Sequence, residues 1–453
     1  MKIQLSDHFT TGRLIRFVLP SVVMMICTSI YSVADGLFVS NYVGKVPFAA
    51  LNLISPLLMI MGTIGFMIGT GGSALVAKTL GEGDKERANR YFSLLVYTAA
   101  VVGAALSVIG IALVRPLALL FGADEEMLEY CVIYARIILI ALVPFILQNV
   151  FQSFLITAEK AKFGLIITIS AGVTNIVLDF LLVGVFGFGL EGAAAATAIS
   201  QTVGGIVPLI YFCRKNSSLL RLGKTKLEFS VLWRTCSNGF SEFMTNISAS
   251  IVNMLYNRQL MDIAGQDGVA AFGVIMYVNF IFIAIFIGFS IGSAPIVSFH
   301  YGAKNEGELQ GLLKKSLVII GITGALLAAL AQALAYPLSM LFVGYDEELF
   351  RLTLRGFRLY SISFIVCGFN IYSSSFFTSL NNGIVSAVIS FSRTFVFQVS
   401  MLFILPIFLK GDGIWLAIVV AELLGLLVTI FFIFSQRNRY GYFPQRRTAK
   451  EYR

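Results

Sequence analysis

Apolar runs of about 20 residues or more recur twelve times along this chain, and no other feature of the sequence excludes so many folds. At 1.5 Å of rise per residue, each run is long enough to cross roughly 30 Å of hydrocarbon as a helix. A β-barrel would instead show segments of about ten residues alternating in polarity, and none are present. Lipid offers no partner to an unpaired backbone amide, so the spanning segments must be helices. Composition agrees: only 13% of residues are charged and mean hydropathy is +0.86. The fold class expected is therefore an all-α integral membrane protein.

The first dozen residues are polar, and the apolar run after Arg16 is too long for a cleaved leader and lacks a small-residue cleavage site. It is expected to remain as the first span. The five cysteines (Cys27, Cys131, Cys213, Cys236, Cys367) have no metal-type spacing and serve as small apolar residues.

The twelve spans are expected near 14–40, 47–77, 91–114, 130–157, 163–185, 191–213, 237–260, 269–299, 316–337, 357–380, 384–409 and 413–435. An even number puts both termini on one side. Segments on that side hold 24 of the 33 Lys and Arg, the opposite loops hold six, and Arg136, Arg258 and Arg393 lie inside spans. Lys and Arg stay in the cytoplasm during insertion, so both termini are expected in the cytoplasm, with the chain in a bacterial inner membrane. The net charge of +9 then reflects topology and attraction to anionic lipid, without any nucleic-acid partner.

The chain also repeats itself at an offset of 221 residues. Gly44–Leu51 lies over Gly265–Phe272, Gly71 over Gly292, Gly81 over Gly302, and Pro116–Phe121 over Pro337–Phe342; after one inserted residue, Gly122–Glu126 matches Gly344–Glu348. Two homologous six-helix bundles follow. Six is even, so the halves share an orientation about an axis along the membrane normal. The division expected is a first lobe over 1–213, a basic linker over 214–236, a second lobe over 237–435 and a basic tail over 436–453. Two such bundles enclose a central cavity, the geometry of a transporter that functions as a monomer.

Gly65-x-x-x-Gly69 and Gly288-x-x-x-Gly292 suit close helix packing. The other glycine clusters lack the Gly-Lys-Ser/Thr of a phosphate loop. Pro20 removes one hydrogen bond within the first span and is the expected bending point; Pro144, Pro208, Pro295 and Pro406 interrupt other spans.

Charge inside a bilayer costs about 2.5–3.5 kcal/mol on insertion scales, so intramembrane charges face protein or a wet cavity. Asp35, Asp179 and Thr197 each lie five or six residues from the outer end of a span, roughly 8–9 Å below the boundary, and Asn175 is one helical turn from Asp179. Two carboxylates, an amide oxygen and a hydroxyl at one depth suit Na+ as well as H+. The blander alternative is that each Asp hydrogen-bonds a neighbouring helix near the interface. The positions matching Asp35 and Asp179 are Tyr256 and Ser400, so ion binding falls to the first half alone. In the second half, Glu422 either faces a cavity or pairs with Arg393 or Arg258. Glu242 makes either a structural hydrogen bond or part of a second-lobe cavity. Arg136 suits snorkelling, and His300 reads as structural.

The run Pro20…Asp35-Gly-Leu-Phe-Val, Gly44…Ala49-Ala50 and Gly81-Glu-Gly-Asp84 resembles the multidrug and toxic compound extrusion (MATE) family, within the MOP-flippase-like architecture. So do Asn175-x-x-x-Asp179, Gly192-Ala-Ala-x-Ala-Thr197…Gln201, Tyr301-Gly-Ala-Lys304 and Gly413-Ile-Trp415. Ser241-Glu242 and the Gly-Ile-Trp segment are most similar to the DinF/MepA-like bacterial branch. The resemblance implies antiport: Na+ or H+ enters while a cationic amphipathic compound leaves, by alternating access of two lobes. It implies a cation site at Asp35, Asn175, Asp179 and Thr197, bending of the first helix at Pro20, and no cofactor. Phe180 stands where many members have proline, which implies a different local helix geometry after Asp179. Glu242 and Glu422 match no second-half carboxylate cluster securely.

The main rival is a flippase for a lipid-linked precursor, or an exporter of one metabolite, from the same superfamily. A channel or non-transporting receptor fits a two-lobe repeat poorly. No His-Glu-x-x-His, Gly-x-Ser-x-Gly or nucleophile–base pair points to an enzyme.

Overall fold

The computed structural model describes residues 3–443. Lys2 and the part of the basic tail after Phe443 lie outside the described residues.

Among the described residues there are helices and no strands. The first half holds α1 (Thr11–Tyr42), α2 (Lys45–Gly81), α3 (Lys85–Leu120), α4 (Glu125–Ile140), α5 (Leu142–Thr157), α6 (Ala161–Asp179) and α7 (Gly189–Cys213). The second holds α8 (Phe229–Gly302), α9 (Glu306–Val343), α10 (Glu347–Tyr360), α11 (Phe364–Ser379), α12 (Gly383–Phe391), α13 (Gln398–Leu409), α14 (Gly411–Ser435) and the short α15 (Arg437–Tyr440). Ten helices are long and apolar enough to cross a membrane, and the α4–α5 pair makes an eleventh. The 74-residue α8 is counted once there, although Gly265 (φ 62°, ψ −150°) divides it into two arms. The spans then number twelve, and the chain is a multi-pass membrane protein.

Most helices run past the expected apolar limits. Hydropathy marks where hydrocarbon ends, whereas a helix ends where its free backbone N–H groups find caps. The span expected at 91–114 runs from Lys85 to Leu120 because Asp84 accepts from the Arg87 N–H at 2.9 Å. Its counterpart in the repeat, α9, is capped by Asn305. Asp124 and Asp346 likewise cap α4 and α10. The repeat reaches the turns as well: φ is positive at Gly83 and Lys304, and at Glu159 and Asn381.

Of the sequence-expected bends, the clearest is the 54° break between α4 and α5. Pro144 cannot donate to the carbonyl of Ile140, where α4 stops. α1 runs as one helix through Pro20.

Each half has its own apolar cluster. The first gathers Phe92, Phe151, Phe154 and Phe212; the second gathers Phe286, Phe357, Phe364, Phe376 and Trp415. Leu14, Phe17, Val18 and Met24 of α1 join the second cluster, so α1 ties the halves together. The halves also meet on the side that carries the termini, where α2 packs against both arms of α8. A Cβ at Gly81 would lie 2.0 Å from the Phe299 carbonyl oxygen, and one at Gly302 2.0 Å from that of Lys78. Each repeat partner thus crosses the other at the same point, and nothing larger than hydrogen fits either side. Gly239 approaches the Met67 carbonyl as closely. Gly65 and Gly69 face the α5 backbone, and Gly288 and Gly292 face α1, the packing role their spacing suggests.

A strap of N-terminal residues lies across the same seam. The Leu5 N–H donates to Glu159 of the first half at 2.9 Å. The Phe9 N–H donates to Glu308 of the second at 2.8 Å, and His8 Nδ1 lies 2.6 Å from the other Glu308 oxygen. Phe9 is fully buried against His300.

Candidate functional site

Among the described residues, two cavities of similar size lie mainly one in each lobe, the second also touching Thr70, Ser73 and Ser153 of the first lobe. The first, about 340 Å³, is lined by Asp35, Asn175 and Thr197 together with Tyr31, Gln148 and Gln201. Asp179 is fully buried behind it. Asp35 is the near neighbour of both the Asp179 carboxyl and the Asn175 side chain, and Tyr134 lies within electrostatic reach of both acids. The four residues that depth and spacing grouped are therefore brought to one place.

One Asp35 oxygen, both Asp179 oxygens and Asn175 Nδ2 are buried without a hydrogen-bond partner. The blander sequence alternative, an Asp hydrogen-bonded to a neighbouring helix, stays open for Asp35, which reaches Asn175 and Asp179 of α6. Two facing carboxylates repel unless a proton or a cation lies between them, so the cluster has the chemistry of an exchangeable cation site. Among the described residues no three His, Cys, Asp or Glu gather as a transition-metal site would require. The donors are hard oxygens, suited to Na+ or H+.

Local structure positions Asp179. α6 ends there and passes into a π-helical turn, Phe180–Val185. π-turns often lie at functional positions because they rotate the preceding side chains relative to the helix beyond. Sequence reasoning missed Tyr31 and did not assign Gln201 to the site, although a simple signal was available. Each sits four residues from a predicted site residue, Asp35 and Thr197 respectively, and so on the same helix face.

The second cavity, about 330 Å³, is lined by Glu242, Arg393 and Glu422, with Tyr256, Phe272, Asn279 and Ser290. Glu422 is 2% exposed and does both things the sequence left open: it faces the cavity and pairs with Arg393. Arg393 Nη1 lies 2.8 Å from Glu422 Oε1, Asn370 Nδ2 donates to Oε2 at 2.7 Å, and Thr429 donates to Asn370 Oδ1 at 2.9 Å. Arg393 itself sits in a second π-turn, Ser392–Phe397. Glu242 makes no ion pair and no side-chain hydrogen bond among the described residues, so the structural hydrogen bond considered for it is absent. Arg136 and Arg258 are exposed on the bundle surface and enter neither cavity. His300 is buried at the seam with neither ring nitrogen hydrogen-bonded.

A sequence model of the MatE family matches residues 20–181 and again 243–404, one match per half. The multidrug export protein MepA of Staphylococcus haemolyticus is 22% identical over 429 residues, covering 94% of each chain. Among solved structures, an outward-facing MATE-family multidrug resistance transporter of the MOP superfamily superposes with a TM-score of 0.90 at 21% identity, covering 96% of this chain and 97% of that one. A MOP-superfamily transporter from Pyrococcus furiosus, whose binding pocket of reversed polarity is described as suggesting a different function, gives a TM-score of 0.88 at 21% identity, with 96% of this chain and 97% of that one covered.

Proposed function

The chain belongs to the MatE family, in its DinF/MepA-like bacterial branch, and we propose that it is a secondary active multidrug efflux antiporter. It exports cationic amphipathic compounds in exchange for inward H+ or Na+, with both termini in the cytoplasm of a bacterial cell.

One observation supports this reading: Asp35 and Asp179 face each other beside Asn175, Asp35 on the wall of a cavity that also exposes Thr197 and Asp179 buried behind it. A proton or Na+ relieves their repulsion. Its arrival and departure change the charge on α1 and α6, which pack along each other. Coupling follows if the cation-bound and cation-free clusters favour different lobe arrangements, because a ligand shifts an equilibrium only by its differential affinity for the two states. Bending of α1 at Pro20, which already lacks one backbone hydrogen bond, is the local motion that serves this. Alternating access then requires the glycine seam and the strap to part on the terminal side while the far side closes.

The lipid-linked flippase reading calls for several cations around an anionic headgroup. Of the three intramembrane arginines, only Arg393 lines either cavity, one cation where an anionic headgroup calls for several. Export of cations suits these walls better.

The test is ethidium efflux from a drug-sensitive bacterial strain, comparing the parent with Asp35→Asn at equal membrane levels. Fast efflux from the parent and background efflux from the variant is expected. Equal efflux from both removes Asp35 from coupling. No efflux from a correctly inserted parent removes multidrug export of this dye.

A further inference from the structure

We propose that the segment Arg437–Phe443 after the last span is a latch on the terminal-side seam, holding Tyr301 where Lys78 of the first lobe binds its ring. It rests on the transport reading above for the two states of that seam.

Residues beyond a last span usually fray unless something ties them down. Here Tyr440 and Tyr442 are 7% and 2% exposed. The chain turns back at Gly441 (φ 65°), whose carbonyl accepts from Gln310 Nε2 at 2.9 Å. The Tyr442 hydroxyl donates to the Ile433 carbonyl at 2.8 Å, and its ring meets Phe376 and Phe377 edge-on.

The repeat contains this docking twice. Asn89 and Gln310 lie 221 apart, one turn into α3 and α9. Asn89 Oδ1 accepts from the Arg221 N–H at 2.6 Å, as Gln310 holds Gly441 in the second half. Leu220 and Tyr442 match past the inserted residue, and both are buried. Each lobe therefore folds the segment after its last span back onto its own third helix.

In the second lobe, tyrosines extend the docking to the seam. Tyr440 meets the Tyr301 ring edge-to-face, centroids 5.6 Å apart. Lys78 Nζ stands 5.4 Å from the centroid of the Tyr301 ring, a cation–π contact between lobes. It crosses where they are tightest, since a Cβ at the next residue, Gly302, would lie 2.0 Å from the Lys78 carbonyl oxygen. The N-terminal strap grips the preceding residue, His300, through Phe9. Parting the lobes here must break the Lys78–Tyr301 contact, and Tyr440 is the positioning residue that steadies the ring.

Opening would be read in full-length protein in nanodiscs by N-ethylmaleimide labelling of Thr235→Cys, with Cys131 kept and the other native cysteines replaced by alanine. Thr235 is fully buried beside Gly71 and Gly72 on the seam, and Cys131 is fully buried within the first lobe. Tyr440→Ala is expected to speed labelling at position 235 about three- to tenfold, the scale of one cation–π contact, with Cys131 unchanged. Lys78→Gln should do the same. Tyr440→Phe keeps the ring and should stay within about twofold of the parent. Both disruptive changes break one chain of contacts, so combining them should exceed either alone by no more than about twofold. An unchanged rate in Tyr440→Ala, a Cys131 rate that rises with it, or effects that multiply on combination overturn the proposal. Ethidium efflux is measured on the same chains. Parent efflux with an unresponsive seam overturns the latch alone, whereas a responsive seam without efflux overturns the export reading alone.

Discussion

The two cavities are nearly equal in volume, about 340 and 330 Å³, and opposite in electrostatic logic. Duplication supplies the first fact. Matching positions line both cavities: Ser32 and Asn253, Leu51 and Phe272 at an offset of 221, and, past the inserted residue, Ser200 and Glu422. Divergence supplies the second. The first cavity has Asp35 on its wall and Asp179 behind it, and no Lys or Arg lines it among the described residues. The second pairs its deepest acid with Arg393 and leaves Glu242 single. A shared backbone preserves the space, and a handful of side chains decides what may occupy it.

The sharpest way to break this comparison is to remove charge from each side. Arg393→Ala leaves Glu422 buried beside Asn370 without its cation, and about 3–5 kcal/mol of stability should be lost. Thermal unfolding of the purified protein reads this as a large drop in Tm. Asp35→Asn removes a repulsion instead, so its Tm should hold or rise. A comparable loss in both variants would end the claim that the lobes treat charge differently.

A smaller effect probes what the halves still share. Gly81→Leu and Gly302→Leu each drive a side chain into a backbone carbonyl across the seam, and overpacking of this kind costs about 1–3 kcal/mol. The closed terminal side should loosen equally in both, read as faster maleimide labelling of Cys236 beside the seam. Labelling that changes in only one variant would mean the crossing is not used symmetrically.

The strap comes next. Glu308→Gln weakens the anchor of Phe9 and His8 by about 1–2 kcal/mol, a charged acceptor becoming neutral. Quicker proteolysis within the first ten residues, with unchanged Tm for the helical bundle, is the expected outcome. The smallest effect belongs to Arg351→Ala. Its partner Glu347 is as exposed as Arg351 itself, and such pairs add little, so no change in Tm is expected.

Much of the site was legible because span ends act as a ruler. Distance in residues from the outer boundary placed Asp35, Asp179 and Thr197 at one depth, and helix periodicity added Asn175. Depth carries no azimuth, however, which is why Tyr31, Gln148 and Tyr134 at the same wall went unassigned. Glu242 shows the same limit. Its place on the first arm of α8 suited a hydrogen bond as well as a cavity, and only the packing of α8 against α12 and α14 decided between them.

The sequence by itself determined the helices, their number and the two-fold repeat. These follow from local terms: hydrocarbon thickness, backbone hydrogen bonding and the rise of a helix. Tertiary structure alone decided that Glu422 pairs with Arg393, that Glu242 stays single, and that the terminal side closes glycine against backbone. Those outcomes depend on which faces of distant helices meet. Two π-turns, at Phe180–Val185 and Ser392–Phe397, add a rotation that helical periodicity does not anticipate.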